Sequence, residues 1–208
     1  MLSDAIIEQL DRARLAMGYL PIAQTMALAD QGNVILDPFS TLISHHAKIG
    51  TDNIFHPNTC LSAYASSLLS VGNGNLFQGA VSITAQNGLI QIGDENIFGA
   101  GNIVIETHQT DAPVTIGANG RFKGFIDISG RCDLGNGCQV LGNISLRGVR
   151  LQGGGSYQHP VADERGAVLK GHGRALDIAL KAGQVIAGDG SFAITEMRMQ
   201  SHYHPDAR

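Results

Sequence analysis

The chain has 208 residues and is 43% hydrophobic, so it is long enough to bury one sizeable core. Its net charge of −4, with Lys and Arg dispersed, argues against a nucleic-acid partner. No run of about 18 apolar residues occurs, and the first residues carry acids where a signal peptide needs positive charge, so we expect a cytoplasmic protein without a membrane span. Three cysteines without C-x-x-C spacing argue against a disulfide framework and a zinc knuckle, and we expect no metal.

Two helices are predicted at the start of the chain. Apolar residues three or four positions apart predict an amphipathic helix over residues 2–17, which Gly18 ends. The apolar positions are Ile6, Leu10, Ala13 and Met17. Pro21 suits the first turn of a second helix that runs through Met26 to Asp30, and Gly32 terminates it. Helical spacing then disappears until at least residue 152.

The middle of the chain repeats one phrase. IGTDNIF covers residues 49–55, and related phrases begin at 71, 92, 116 and 134. The first position is always aliphatic, the position six residues later is Phe or Val, and the position six residues further is aliphatic. These three columns are Ile49, Val71, Ile92, Ile116 and Leu134; Phe55, Phe77, Phe98, Phe122 and Val140; and Leu61, Ile83, Val104, Ile128 and Leu146. Such self-similarity at a fixed period indicates a repeating structural unit.

A six-residue strand-and-turn unit used three times per circuit predicts a triangular coil with these apolar side chains inside. Successive coils then stack as parallel strands about 4.8 Å apart, and each column becomes a ladder. The fifth position of the phrase gives a column of small or amide side chains, namely Asn53, Asn75, Asn96, Gly120 and Cys138. We expect the asparagine amides to bond from coil to coil.

Three insertions interrupt the period. The first positions 49, 71, 92, 116 and 134 are separated by 22, 21, 24 and 18 residues, and only the last interval equals three six-residue units. The excess follows the third column each time, in SAYASSLLS, TAQNGLIQ and ETHQTDAPVT. We therefore expect three loops at one corner, and insertions of repeat proteins often form the binding face.

This pattern, over roughly residues 43–151, resembles the hexapeptide-repeat superfamily. The resemblance implies an all-β fold, a left-handed parallel β-helix of about five to six coils with an N-terminal helical cap and a short C-terminal β extension. The predicted division is a helical cap at 1–33, the β-helix at 34–152, and an extension at 153–208 that serves as a second cap or an oligomerisation arm. Alternating apolar and polar residues around glycine turns predict two to four strands of the extension outside the repeat.

Histidines are the first candidates for chemistry. His108 lies in the longest insertion beside Glu106 and Asp111, and a carboxylate next to an imidazole suits the ring to accept a proton from a hydroxyl or amine. The alternative is an exposed loop histidine without a function. His45 and His46 lie in SHHAKIG, ahead of the first Ile-Gly phrase. Acyltransferases of the superfamily have similar phrases, some with a catalytic histidine, and other members have them without one.

One interpretation is therefore a CoA-dependent acyltransferase that modifies a hydroxyl or amine of a small polar acceptor such as a sugar. The resemblance implies acyl-CoA, for example acetyl-CoA, as the donor and a homotrimer with active sites in clefts between neighbouring subunits. By the same resemblance, His108 or His46 is the base, and Glu106 or Asp111 orients it. The candidates for contacts with the CoA phosphates are Lys123, Arg147 and Arg150.

A second interpretation is a non-catalytic scaffold or adaptor. IGTDNIFHPNTCLSAYASSLLSVGNGNLFQGAVSI is similar to the β-helical subunits of dynactin, which are adaptors. The absence of a specific catalytic motif favours this interpretation, whereas the reactive side chains of the insertions favour an enzyme. The γ-carbonic anhydrases of the superfamily need three zinc-binding histidines, two of them five residues apart. That function is disfavoured because residues 49–151 contain only His56 and His108.

Overall fold

The computed structural model describes residues 3–99 and 101–204. Helix α1 covers Asp4–Ala16 and helix α2 covers Ile22–Ala27. Short 3₁₀ turns lie at Leu28–Gln31, Ala162–Glu164, Ile194–Glu196 and Gln200–His202. Gly18 and Gly32 follow the N-terminal helices with φ of 81° and 78°, a left-handed conformation that glycine adopts without a steric penalty. Among the described residues, no helix has the length and hydropathy needed to cross a membrane.

Most of the described chain forms strands in two sheets. The larger sheet has 14 strands: β1 Val34–Ile35, β2 Leu42–Ile43, β4 Ile54–Phe55, β5 Thr59–Ala63, β7 Leu76–Phe77, β8 Val81–Ala85, β10 Ile97–Gly99, β11 Ile103–Thr107, β13 Arg121–Lys123, β14 Ile126–Ser129, β16 Gln139–Arg147, β18 Val168–Leu176, β20 Gln184–Ser191 and β21 Met197–Met199. The smaller sheet has seven: β3 Ala47–Ile49, β6 Leu68–Val71, β9 Leu89–Ile92, β12 Val114–Ile116, β15 Cys132–Leu134, β17 Arg150–Leu151 and β19 Ala179–Leu180.

Strands β1 to β13 each pair with the strand three places further along the chain, and from β14 to β18 the partner is two places further, because β16 continues two runs at once. The smaller sheet runs β19-β17-β15-β12-β9-β6-β3, and the larger sheet contains the runs β1-β4-β7-β10-β13-β16 and β2-β5-β8-β11-β14-β16. These pairs are parallel, and β20 with β21 is an antiparallel pair at the end of the larger sheet. A chain that pairs in parallel with its previous circuit must cross over between the two strands. The arrangement is compatible with a parallel β-helix.

Two of the three predicted ladders are present as predicted. The first column is in register, because Ile49 pairs with Val71 and the pairing continues through to Leu134. In the second column the four phenylalanine rings are fully buried, with neighbouring ring centroids 5.0, 5.1 and 5.0 Å apart. Their planes differ by only 8°, 7° and 11°. The core is therefore a stack of rings between columns of aliphatic side chains.

The third ladder differs from the prediction at one residue. Ile105, and not Val104, pairs with Ile83 and Ile128 and is fully buried. Val104 pairs with Ser82 and Asp127 and is only partly buried, on the outer face. Ile105 lies seven positions after Phe98, whereas Leu61 and Ile83 lie six positions after their phenylalanines. This circuit therefore has one additional residue before its third inward position.

The asparagine column forms the predicted ladder of amides. Asn75 donates from Nδ2 to Asn53 Oδ1 over 3.0 Å, and Asn96 donates from Nδ2 to Asn75 Oδ1 over 3.0 Å. Each side-chain oxygen also accepts a bond from the backbone N–H of the next residue in the column, ending with Gly120. Asn33, which the sequence pattern did not include, begins the column by accepting from Asn53. Buried amides are thus satisfied without solvent, as a buried polar group requires.

The strands after residue 152 were expected outside the repeat, but they continue its two sheets. Strand β18 pairs in parallel with β16, β20 pairs with β18, and β19 pairs with β17. The division into three domains itself stays a prediction. A column of glycines marks these longer strands: Gly142 pairs with Gly171, which pairs with Gly188. A Cβ on Gly142 would collide with the Gly171 carbonyl, so this close backbone approach requires glycine.

The N-terminal helix is held by a buried arginine and not by its predicted apolar face. Ile6, Leu10 and Met17 are exposed, Met17 to 75%. Arg14 is buried, and its guanidinium donates to the backbone carbonyls of Leu20, Pro38 and Thr41 and to the Thr25 hydroxyl, at 2.7 to 3.0 Å. A planar guanidinium has five donors in a fixed geometry and can satisfy several carbonyls at once. The helix is therefore fixed through polar contacts that helical hydrophobic spacing does not reveal.

Candidate functional site

The three insertions lie against one another at one corner of the molecule. They form loops at residues 64–67, 86–88 and 108–113, which we call the loop stack. The Ser67 hydroxyl donates to the Gln86 carbonyl over 2.7 Å, and the Gln86 backbone N–H donates to the Thr107 carbonyl over 3.0 Å. Leu68 similarly donates to the Gly88 carbonyl. The expected gathering of the insertions at one corner is thus supported by direct hydrogen bonds between consecutive loops.

Both ring nitrogens of His108 have a side-chain partner. Nε2 lies 3.2 Å from Glu106 Oε2, and Nδ1 lies 2.9 Å from Gln86 Oε1. Glu106 points outward because alternation along β11 buries Ile105 and Thr107. The His108 side chain is 54% exposed, so the ring is oriented by its partners while it remains open to solvent.

The roles of the two His108 contacts depend on the tautomer of the ring. A neutral imidazole carries one N–H, so it cannot donate to two oxygen acceptors together. If Nε2–H donates to Glu106, the Nδ1 lone pair is the acceptor and faces Gln86. Turning the Gln86 amide by 180° places its N–H₂ at that position, where it donates to Nδ1. In this tautomer the Nδ1 lone pair faces the side chain of Gln86.

Arginines line the space beside His108. A cleft of about 300 Å³ is bounded by His108, Gln109, Ala112, Ser129, Gly130, Arg131 and Arg147. Arg131 donates from Nη2 and Nε to the Asp111 carbonyl, over 2.6 and 3.2 Å, which fixes the third loop of the stack to β15. An adjoining cleft of about 390 Å³ shares Arg131 and includes Arg150 and Asp133. Two neighbouring clefts thus present guanidinium groups for binding an anion.

The structure brings some of the predicted site residues together and separates others. Glu106 contacts His108, Arg147 lines the same cleft, and Arg150 lines the adjoining one. Asp111 lies in the same loop, but its recorded contact is its backbone carbonyl. Lys123 ends strand β13, between Gly99 and Leu141 of the neighbouring strands, and lines neither cleft.

His46, the alternative base, lies at a different cavity. His45 and His46 are exposed, with ring centroids 4.0 Å apart, beside a cavity of about 350 Å³ that includes Tyr19 and Tyr64. Tyr64 belongs to the first loop of the stack and His108 to the third, so one loop separates the two sites. Among the described residues, no ion pair with a carboxylate is formed by either His45 or His46.

Gln86 and Arg131 are the site residues that sequence reasoning missed. The third-column residues Ile83, Ile105 and Ile128 are each followed, three positions later, by Gln86, His108 and Arg131 respectively. Leu61 is followed in the same way by Tyr64. With Val104 in place of Ile105, His108 falls one position out of this column. The signal was therefore present in the sequence, and the register error concealed it.

Two of the three cysteines, and the metal-binding residue types, offer no second reactive centre in the described ranges. Burial raises the pKa of the Cys138 thiol to about 12, and burial also raises the pKa of Cys132, so neither is a thiolate near neutral pH. The three cysteines are free. Within residues 3–99 and 101–204, no group of three His, Cys, Asp or Glu side chains is placed to hold a metal ion.

The chain was compared with protein-family models, with curated proteins and with solved structures, and none of them matches it. The repeat and the loop stack are therefore the grounds on which a function can be assigned.

Proposed function

We propose that the chain is a left-handed parallel β-helix of the hexapeptide-repeat class and acts as a CoA-dependent acyltransferase. Its acceptor is the hydroxyl or amine of a small polar molecule, for example a sugar. The observation that carries this proposal is the pairing of an oriented histidine with arginines in one cleft. His108 is held by Glu106 at 3.2 Å, and Arg131 and Arg147 line the same space. A proton acceptor and phosphate-binding groups are what such a transfer needs from the protein.

His108 is the base in this proposal, and Glu106 is the residue that positions it. Donation from Nε2–H to Glu106 leaves Nδ1 to take the proton of the acceptor hydroxyl or amine as that group attacks the acyl carbonyl. The Glu106 carboxylate then stabilises the imidazolium that forms. Gln86 lies 2.9 Å from Nδ1 and marks the position that the acceptor group takes. His46 and Asp111 have no part in this assignment, because neither side chain contacts the His108 ring.

The residues of the two clefts fit the phosphates of acyl-CoA. Acyl-CoA would supply the acyl group as a thioester, with the CoA thiol as the leaving group. Guanidinium groups bind phosphate oxygens in a fork geometry, and Arg131, Arg147 and Arg150 are adjacent along this surface. Lys123 does not fit this role, because it lines neither cleft. The cleft is open beside the exposed His108 ring. We propose a homotrimer, as in the hexapeptide-repeat acyltransferases, in which a neighbouring subunit closes the site.

Ligand-dependent stability tests this proposal first. Acetyl-CoA at 100 times its dissociation constant should stabilise the fold by about 2.7 kcal/mol, which thermal unfolding detects. His108→Ala should abolish acetyl transfer in a screen of sugar and amine acceptors. His172→Ala is the matched control, because His172 forms an exposed ion pair with Asp189 at 2.6 Å, outside both clefts. No stabilisation at millimolar acetyl-CoA, or equal activity of the two variants, contradicts the proposal.

A specific observation supports the adaptor as a second candidate. Val34, Ile54, Leu76 and Ile97 pair in register on the outer face of the larger sheet, directly before the buried phenylalanine column. Val34 is 44% exposed and Ile54 is 37% exposed. Leu76 and Ile97 are half-buried. An aliphatic ladder with an exposed end fits either a subunit interface or a protein partner.

Oligomeric state separates the two uses of this ladder. Light scattering on the wild-type protein and on Ile54→Glu measures whether the ladder joins copies of the chain. A trimer that dissociates in the variant supports the transferase. A monomer in both, together with no response to acetyl-CoA, supports the adaptor.

A further inference from the structure

A second cavity lies near the C-terminal end of the larger sheet, away from the loop stack. It has a volume of about 270 Å³ and is lined by outward residues of β13, β16, β18 and β20 and by two loop segments. The lining residues are Arg121, Gln139, Leu141, Tyr157, Arg165, Val168, Lys170, Val185, Gln200, Tyr203 and His204. It shares no residue with the clefts beside His108.

Positive charge dominates this cavity. Arg121, Arg165 and Lys170 line it, and no carboxylate is among its lining residues in the described part of the chain. Asp163 and Glu164, the acidic residues next to Arg165 in the sequence, are engaged elsewhere, because Asp163 accepts from Ser201 and Glu164 lies 3.6 Å from His159. Burial lowers the pKa of Lys170, since the ammonium has lost part of its water. Three cations in a cavity whose described lining carries no carboxylate favour the binding of an anion.

Aromatic rings fix two of the three cations. The Arg121 guanidinium carbon lies 4.2 Å from the centre of the Tyr157 ring, and Lys170 Nζ lies 3.3 Å from the centre of the Tyr203 ring. Such contacts hold a cation in place without neutralising it. The charges are therefore positioned before any ligand arrives, which lowers the entropic cost of binding.

Besides the cations and the tyrosines, the described lining consists of three aliphatic residues, Gln139, Gln200 and His204. Leu141, Val168 and Val185 form a wall from three neighbouring strands. Gln200 is buried and donates to the Gly166 carbonyl over 2.8 Å, which ties the C-terminal segment to the loop that carries Arg165. The Arg165 Nε donates to the His159 carbonyl over 2.7 Å. A rigid space that combines cations with aliphatic groups is typical of a small-molecule site.

We propose that this cavity binds a small phosphate monoester whose organic part is apolar, with the phosphate on Arg121, Arg165 and Lys170 and the organic part against Leu141, Val168 and Val185. A phosphate monoester carries nearly two negative charges near neutral pH and three strong acceptor oxygens, which matches two guanidinium groups and one ammonium. The site does not depend on the acyltransferase, because none of its residues belongs to the loop stack.

Calorimetric titration of the full chain with three probes tests the site. Phenyl phosphate carries both features, inorganic phosphate carries only the charge, and phenol carries only the apolar ring. We expect one molecule of phenyl phosphate to bind per chain, more tightly than inorganic phosphate, and phenol not to bind. Raising the salt concentration should weaken the binding, because it screens the ionic contacts. No binding of phenyl phosphate at millimolar concentration overturns the proposal.

Charge-removing variants locate the binding. Arg121→Gln and Lys170→Gln should each lower the affinity for phenyl phosphate about tenfold or more, since each removes a charge-assisted contact. Lys181→Gln is the control, because Lys181 is exposed and lies outside the cavity. Equal affinity in the Arg121 and Lys181 variants overturns the assignment. Thermal unfolding of each variant shows that the fold is retained, and Arg147→Gln should leave phenyl phosphate binding unchanged whatever its effect on acetyl-CoA.

Discussion

Replacing Phe98 by Ala tests whether the phenylalanine column stabilises the fold as a continuous stack. Phe98 is fully buried, and its ring lies 5.1 Å from Phe77 and 5.0 Å from Phe122, nearly parallel to both. Truncating a buried phenylalanine costs about 3–5 kcal/mol, through the lost transfer energy and the cavity that remains. Each aromatic pair adds about 0.5–1.5 kcal/mol beyond area burial, and Phe98 has two such pairs. We therefore expect a loss of about 4–5 kcal/mol in the free energy of unfolding.

Phe55→Ala is the matched control for this variant. Phe55 is equally buried but stacks on only one ring, Phe77, because its other neighbour in the column is Ile35. The Phe55 variant should therefore lose about 1 kcal/mol less than the Phe98 variant. Denaturant unfolding followed by far-UV circular dichroism measures both losses. A loss below about 2 kcal/mol for Phe98→Ala would refute a rigid ring stack. So small a loss would mean that the neighbouring side chains move in to fill the cavity left by the ring.

Three further predictions concern buried polar groups and are measured by unfolding in denaturant. Asn75→Ala removes the oxygen that accepts from the Asn96 backbone N–H over 2.9 Å, and should cost about 2 kcal/mol, whereas the exposed Asn73→Ala should cost less than about 1 kcal/mol. Arg14→Leu leaves three carbonyls without their donor and should cost about 3 kcal/mol or more, whereas an equal loss in the exposed Arg12→Leu would contradict this account. The pKa of Cys138 is about 12 in the folded state and 9.0 in the unfolded chain. Burial of the neutral thiol therefore contributes fully to stability below pH 9, and this contribution is lost as pH rises toward 12. The free energy of unfolding then falls by at most about 1.4 kcal/mol per pH unit. Cys138→Ala should lack this part of the alkaline decline, and an unchanged slope would contradict the assignment.

The ladders could be predicted because each requires the same residue type at one recurring position. Phe55 and Phe77 stack because their positions in consecutive circuits coincide, and Asn53 and Asn75 bond for the same reason. Ile105 was missed because one extra residue precedes it, and adjacent Val104 is equally aliphatic. Both alternatives satisfy a hydrophobic pattern, and only the pairing of the strands distinguishes inward from outward residues.

The sequence predicted strands after residue 152 but not that they continue the sheets of the repeat, and it did not reveal how helix α1 is attached. Gly142 pairs with Gly171, and Gly171 pairs with Gly188. These circuits do not repeat the phrase of an aliphatic residue, Gly and a later Phe, which marks the earlier circuits in the sequence. Arg14 looks like any charged residue of a surface helix, because the carbonyls it binds lie 6 to 27 positions away. Long-range polar contacts leave no periodic signal in the sequence.

Half of the candidate site followed from the sequence. His108 and Glu106 are two residues apart in one insertion, so their proximity is a local property of the chain. Gln86 and Arg131 come from the neighbouring circuits, 22 and 23 positions away, and their place depends on how the strands align. The cavity at Arg121 and Lys170 is formed by segments still further apart in the sequence, and no sequence motif predicts it.

Calorimetric titration with acetyl-CoA tests the central claim, that function resides in the loop stack, most directly. The comparison uses the wild-type chain and the variants Arg147→Gln and Arg174→Gln. Arg174 is an exposed arginine of the neighbouring strand β18 and lines neither cleft. We predict that the wild type and the Arg174 variant bind equally and that the Arg147 variant binds about tenfold more weakly, since it loses a charge-assisted contact. No binding to the wild type, or equal binding by all three proteins, would contradict the placement of the donor beside His108.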